Sequence, residues 1–203
     1  MYEKEKKKKR NGSFYIQSSI LYRNIAASLT IKTNRTQIVG IINNTHPIYV
    51  WEFVADFSNM KLLNPLIDDF NITAESGNYD HWQYSVEYSE HLRYLPFIQN
   101  FAVGHYSIRK ENLDYLISSN HNTCFFGFIC LRTTSEFKFE IYEEKNTKCT
   151  ESVEYYCPIT VMRLCDEEVK AQRKDIMNRL KRYFSYIHIY TSNSHNNQTK
   201  YIC

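Results

Sequence analysis

Strict alternation of apolar and polar residues dominates this chain from Leu66 to Ile159. The clearest stretch is Trp82–Tyr88, in which Trp, Tyr, Val and Tyr alternate with Gln, Ser and Glu. A period of two sends successive side chains to opposite faces of a β-strand, and one apolar face per strand is typical of an antiparallel sheet covered on one side. The sequence predicts about six such strands, and the apolar run Gln37–Ile42 predicts one more before them.

Between the first predicted strand and Leu66, the apolar residues follow helical spacing. Thr45 or His46 can cap a helix whose first turn contains Pro47 and whose apolar residues recur at helical spacing as far as Phe57. A second short helix is predicted from Ser58, and Pro65 follows its end. The chain therefore has two short helices after its first strand.

A long amphipathic helix is predicted at Asp166–Tyr186. Its stripe falls at i, i+4, i+7, i+11 and i+15 and consists of Val169, Arg173, Ile176, Leu180 and Phe184. The predicted fold class is α+β, with a curved antiparallel sheet of about six to seven strands and this helix packed across it. The strands carry more aromatic surface than one helix covers, so we expect an internal cavity.

Charge and composition divide the chain into three parts. Residues 1–35 carry nine Lys and Arg against two Glu, whereas the remainder carries sixteen against twenty. We expect residues 1–35 to form a disordered basic tail or a weak transit-like segment, 36–186 one domain, and 187–203 a disordered polar tail. The acidic balance of the domain argues against a nucleic-acid partner, and the sequence leaves the localisation open between cytoplasm and mitochondrion.

The six cysteines show no spacing typical of a zinc site. We expect reduced thiols, with Cys157 as a small core residue; Cys124 and Cys130 could close a loop in an oxidising compartment. No metal and no cofactor is predicted.

Two segments resemble the START-like, Bet v 1-type helix-grip (SRPBCC) superfamily, which includes polyketide cyclase-like and coenzyme Q-binding proteins. They are Pro47–Pro65, with its Val-Trp-x-x-Val-Ala-Asp-Phe pattern followed by Asn-Pro, and the terminal helix Glu167–Phe184. The resemblance extends over Thr36–Tyr186 and implies the helix-grip fold and a cavity. It does not identify the ligand, because this fold carries lipid carriers, receptors and enzymes alike.

The predicted function is carrier- or chaperone-type binding of a hydrophobic small molecule, such as a lipid, sterol, isoprenoid quinone or polyketide-like compound. The predicted ligand-binding residues lie on strand faces and on the helix stripe: they are Trp82, Tyr84, Tyr106, Tyr115, Phe137, Phe139, Tyr155, Arg173, Ile176 and Leu180. Each aromatic could equally be ordinary core packing. We expect Arg173 to reach solvent at the edge of the stripe; if it faces inward, the ligand should carry an anionic or carbonyl group.

Two other functions stay open. A cyclase- or hydrolase-like enzyme would need a strongly perturbed titratable group inside the cavity, but the histidines and Glu87-Glu90-His91 have the pattern of turns and solvated surface. A protein-interaction module without a ligand would have a filled core. A peripheral membrane contact is compatible with the sequence, and the oligomeric state is not predicted by it.

Overall fold

The computed structural model describes the backbone of residues 30–125 and 129–198, and it describes side chains within 30–124 and 130–187. Seven strands form one sheet: β1 (Ile31–Ile42), β2 (Ile67–Gly77), β3 (His81–His91), β4 (Gln99–Glu111), β5 (Asp114–Phe125), β6 (Ile129–Tyr142) and β7 (Asn146–Pro158). The helices are α1 (Pro47–Ala55), α2 (Phe57–Leu63), a 3-10 turn (Ile159–Val161) and α3 (Met162–Gln198). This order is the predicted one, and the helix-grip fold is confirmed.

Every strand pairs antiparallel with its neighbours, in the spatial order β1-β7-β6-β5-β4-β3-β2. Strands β2 to β7 are sequential neighbours, and β1 joins them at the far edge beside β7. Burial alternates along the strands; on β7, for example, every second residue from Thr147 to Cys157 is buried. The inner face of the sheet therefore carries the core.

The two short helices begin where the sequence predicts. The His46 Nδ1 accepts from the Ile48 N–H at 3.4 Å, and Pro47 begins α1. The Asp56 carboxylate accepts from the Ser58 N–H at 2.9 Å and so caps α2. The Trp51 side chain of α1 and the Phe57 side chain of α2 are fully buried in the core.

The helix α3 packs along the sheet through Ile176, Met177, Leu180 and Phe184, all of them buried. It contacts β1 where Gly40 has no side chain, so that Met177 approaches the strand backbone. Among the described residues, no helix is long and apolar enough to cross a membrane.

The structured part is longer than predicted at both ends. Strand β1 begins at Ile31, because Ile31–Arg35 pair with β7 although their sequence is polar. Helix α3 runs on to Gln198, through residues predicted to be disordered. Residues predicted to be irregular between Asn120 and Cys130 mostly extend β5 and β6. The basic run Lys6–Arg10 lies outside the described residues.

The prediction of reduced thiols is wrong for four cysteines. Cys124 and Cys130 are cross-strand partners in the β5–β6 pair and form a disulfide. A second disulfide joins Cys157 of β7 to Cys165 of α3, because the 3-10 turn folds the chain back between them. Cys149 is a buried free thiol.

Candidate ligand-binding site

A cavity of about 340 Å³ lies between the inner face of the sheet, α2 and the first half of α3. Most of its apolar lining comes from α2, the β3–β4 connection, the chain that enters α3 and the first half of α3, and β2 and β6 each add one residue. The apolar lining residues are Phe57, Met60, Ile67, Leu92, Leu95, Ile98, Leu131, Pro158, Val161, Leu164, Val169 and Ile176. A pocket of this size falls in the lower part of the range of about 300–1,000 Å³ that is usual for small-molecule sites.

Polar side chains gather on one wall of the cavity. They come from β3, β4, β5 and α3, and comprise Tyr88, Glu90, Asn100, Tyr106, His121 and Arg173. Most of them occupy inward positions of the strands. Elsewhere in the sheet these positions carry apolar residues, but here they carry polar ones. The cavity is therefore an apolar pocket with one polar wall, which we call the polar wall below.

Arg173 faces inward rather than reaching solvent. Its Nη1 donates to Glu151 Oε1 at 3.2 Å, with side chains only 19% and 4% exposed. Burial raises the pKa of the Glu151 carboxyl, and the guanidinium opposes that rise. The expected position of Arg173 at the edge of the stripe is wrong, because Glu151 supplies a buried acidic partner.

Glu90 is a second carboxyl on this wall. Its Oε2 accepts from the side-chain amides of Gln172 at 3.1 Å and Asn64 at 3.5 Å. Burial raises the pKa of Glu90, whereas Arg173 and the two amides lower it. The expectation that Glu90 is solvated surface is wrong: it is the next inward position after Tyr88 on β3.

His121 lies in the wall on β5 and is 6% exposed. Its Nδ1 is 3.1 Å from the Tyr88 hydroxyl and its Nε2 is 2.8 Å from the Ser119 hydroxyl. Burial, with a contribution from Arg173, lowers the pKa of His121 to about 3. The imidazole is therefore neutral near physiological pH, and one of its nitrogens donates while the other accepts.

Asn100 borders the same wall and is fully buried. It stands directly opposite Glu90 in the β3–β4 pair. Neither its amide nitrogen nor its amide oxygen has a hydrogen-bond partner among the described residues, and the same holds for Arg173 Nε and Glu151 Oε2. Unpaired buried polar atoms are uncommon in folded proteins, and these four lie on the polar wall or on Glu151, the ion-pair partner of Arg173.

Four of the ten predicted ligand-binding residues border the cavity: Tyr106, Tyr155, Arg173 and Ile176. The other six lie in the packed core beside it. Tyr84 stacks on Tyr106 with ring centroids 4.7 Å apart, and its hydroxyl donates to the Ala55 carbonyl. Phe137 stacks on Phe139.

The remaining three predicted residues surround the α1 end of the sheet. Tyr115 contacts Trp51, with ring centroids 5.6 Å apart. Trp82 packs beside Tyr84, and Leu180 is buried between α3 and the sheet. The aromatic residues under α1 thus form a filled core, whereas those under α2 and the start of α3 border the cavity.

No group of three or more His, Cys, Asp and Glu side chains suited to a metal ion occurs in the part of the chain that the structure describes.

Comparisons with known proteins bear on the fold. No family model matches the sequence, and no curated protein matches it. A protein from Thermus thermophilus superposes with a TM-score of 0.58 at 12% identity, covering 76% of this chain and 99% of that one. The Zhui aromatase/cyclase from Streptomyces sp. R1128 gives a TM-score of 0.54 at 8% identity, covering 76% and 94%.

A conserved protein from Geobacillus kaustophilus gives a TM-score of 0.52 at 10% identity, covering 76% of this chain and 96% of that one. These likenesses span nearly the whole of each solved chain, so they concern a complete domain. At such low identity they establish the architecture and leave the chemistry to the site. The chain has the helix-grip fold.

Proposed function

We propose that this protein binds a hydrophobic small molecule in its cavity and acts as a carrier or chaperone for it. The observation that carries the proposal is the cavity itself, an apolar pocket with a few convergent polar groups in an otherwise filled interior. Such a combination is typical of small-molecule sites. A module that only contacts other proteins would not need an internal cavity.

Native mass spectrometry of the protein purified from its own cells, followed by organic extraction, tests the proposal. The expected result is an added mass that disappears on extraction and is recovered as an apolar compound. A variant with Ile176→Trp, which fills the cavity from α3, should lose the added mass while keeping its fold. Protein without any bound compound, together with no uptake of added hydrophobic dyes, would contradict the proposal.

A cyclase- or hydrolase-like activity is the second candidate, and Glu90 is the observation that favours it. Burial raises the pKa of this carboxyl on the cavity wall, which moves it towards the range that general acid–base catalysis needs. His121, with a pKa of about 3, is a weak base near neutral pH. An extracted compound of different mass from the Glu90→Gln variant than from the wild type would favour the enzyme over the carrier.

The rim of the cavity supports a peripheral membrane contact. Residues of the β3–β4 connection and of the chain entering α3 line the cavity, and exposed apolar side chains lie among them and beside them. We call these exposed side chains the rim: Tyr94, Phe97, Ile159, Val161 and Leu164. Phe97 alone is 81% exposed, and a cluster of exposed apolar side chains is a usual mark of an interaction site. A compound that leaves a bilayer through this rim would not cross water.

A further inference from the structure

The charges at the polar wall differ from those of a site built for an anion. Arg173 is the one Lys or Arg among the described residues that line the cavity, and it is already paired with Glu151. Glu90 lies on the same wall, and Glu168 lies on the lining near the rim. The one cation of the lining is therefore already paired with a carboxylate, and the lining adds two further carboxyl groups, so a carboxylate or phosphate brought here would find no free cationic partner and would be repelled by the ionised carboxyl groups.

A cationic group is disfavoured by a different argument. An ammonium entering the cavity loses its water, which costs several kcal/mol unless strong new partners replace it. The Glu90 carboxyl of the wall accepts from Gln172 and Asn64, and the Glu151 carboxyl beside the wall pairs with Arg173, so both already have partners.

Neutral hydrogen-bonding groups are what the wall offers. Its Tyr88 and Tyr106 phenols and its His121 imidazole are all uncharged near neutral pH, and both nitrogens of His121 are already hydrogen-bonded, to Tyr88 and Ser119. The Asn100 amide has one unused donor group and one unused acceptor, directly across the strand pair from Glu90. These groups complement a ligand that both donates and accepts without carrying charge.

We infer that the ligand is an uncharged amphiphile, an apolar body ending in a hydroxyl or carbonyl group at the polar wall, and that fatty-acid-like anions are excluded. The inference rests on the proposed ligand-binding function and narrows the chemical class of the ligand. It replaces the anionic alternative that an inward Arg173 suggested from the sequence, because Glu151 and Glu90 offset the guanidinium.

Competition with Nile red, an uncharged dye, tests this inference near neutral pH. Octan-1-ol, octan-2-one, octanoate and octylamine share one apolar body and differ in the head group. The alcohol and the ketone are expected to displace the dye at least about tenfold more tightly than the anion and the amine. Tighter binding of octanoate or octylamine would overturn the inference while leaving the proposed function intact. Failure of the dye and of all four compounds to bind would overturn both.

Glu90→Gln gives a second, independent measurement. Removing the carboxyl charge should raise the affinity for octanoate relative to octan-1-ol by about tenfold. Glu154→Gln is the matched control, because it makes the same change on the opposite face of the sheet, where Glu154 pairs with Arg35. A ratio that is unchanged in Glu90→Gln, or changed equally in both variants, would contradict the role given to the polar wall. If Glu90→Gln fails to fold, the ranking of the four compounds on the wild type decides the inference.

Discussion

Gly104 lies on the inner face of β4 beneath the His121 ring. A Cβ atom at this position would be 2.9 Å from His121 Nδ1 and 3.0 Å from Tyr106 Cε2. Both rings are held by their surroundings, His121 by two hydrogen bonds and Tyr106 by stacking on Tyr84. The missing side chain therefore makes room for the polar wall.

Gly104→Ala should destabilise the protein by about 1–3 kcal/mol, since a methyl group must displace one of these rings from a packed interior. Urea denaturation measures the change. Val103→Ala, at the neighbouring and exposed position on the outer face, is the control and should change stability much less. Equal effects of the two substitutions would show that the His121 contact is unimportant.

His121 should make stability sensitive to acid. Its pKa is about 3 in the folded protein, against 6.5 for an ordinary histidine. Between these pH values the unfolded chain binds a proton at His121 that the folded protein does not bind. The free energy of unfolding therefore decreases as the pH falls from about 6.5 towards 3. His121→Gln removes this pH dependence. The difference in unfolding free energy between wild type and variant should therefore shrink towards acid pH. Parallel stability curves for the two proteins would contradict this prediction.

Three residues that shape the polar wall, Glu90, His121 and Glu151, were missed by the sequence prediction for one reason. Each lies on the inward series of a strand that also carries buried apolar residues. Glu90 follows Tyr88, while His121 follows Ile117 and Ser119. Glu151 precedes Val153 in the same way. Alternation alone would have placed them inside, but their polarity suggested the surface, where such residues are usually found.

At the scale of elements, β1 and α3 approach each other closely. A Cβ atom on Gly40 would be 2.7 Å from Met177 Cγ and 2.9 Å from Lys181 Cε. Met177 is buried and cannot swing into solvent. The helix thus lies against the backbone of the strand at this crossing.

Gly40→Ala should push α3 away from the sheet and cost about 1–3 kcal/mol of stability. Thermal unfolding followed by circular dichroism measures it. Val39→Ala, on the exposed side of the same strand, controls for a general effect on β1. If Gly40→Ala leaves the stability unchanged, α3 is not packed tightly against β1 at this crossing.

The order of the elements could be predicted because period two and period 3.6 are easily told apart. Their ends could not, for reasons visible in particular segments. Ile31–Arg35 has no apolar pattern, and its place in the sheet comes from pairing with β7. The Cys157–Cys165 disulfide depends on a turn between two elements, which no spacing rule indicates. The hollow and the filled ends of the sheet differ in three-dimensional packing, so the sequence could not divide its aromatic residues between them.

At the scale of the whole molecule, the rim should govern contact with membranes. Phe97→Ser should reduce co-sedimentation with uncharged phosphatidylcholine vesicles by several-fold, because it removes the most exposed apolar side chain of the rim. Stability should change little, since the side chain has few contacts to lose. Tyr49→Ser, exposed on α1 outside the rim, is the control. Equal loss in both variants, or none in either, would contradict a membrane role for the rim.

The attachment of α3 limits the routes by which the proposed ligand could leave the cavity. The beginning of the helix is tied to β7 by the Cys157–Cys165 disulfide, and the Tyr155 hydroxyl donates to Asp166 at 2.5 Å. Further along, the helix is buried in the core. The β3–β4 connection, by contrast, is held to α3 where the Arg93 and Tyr94 N–H groups donate to the Glu168 carboxylate at 2.7 and 3.2 Å, together with an Arg93–Asp175 ion pair.

These bonds are partly exposed to water, so they open far more readily than a disulfide or a packed helix. For the proposed ligand, we therefore expect the residence time to depend on the contacts of this short connection with Glu168 and Asp175, and we expect exchange to proceed while the sheet and the helix stay folded.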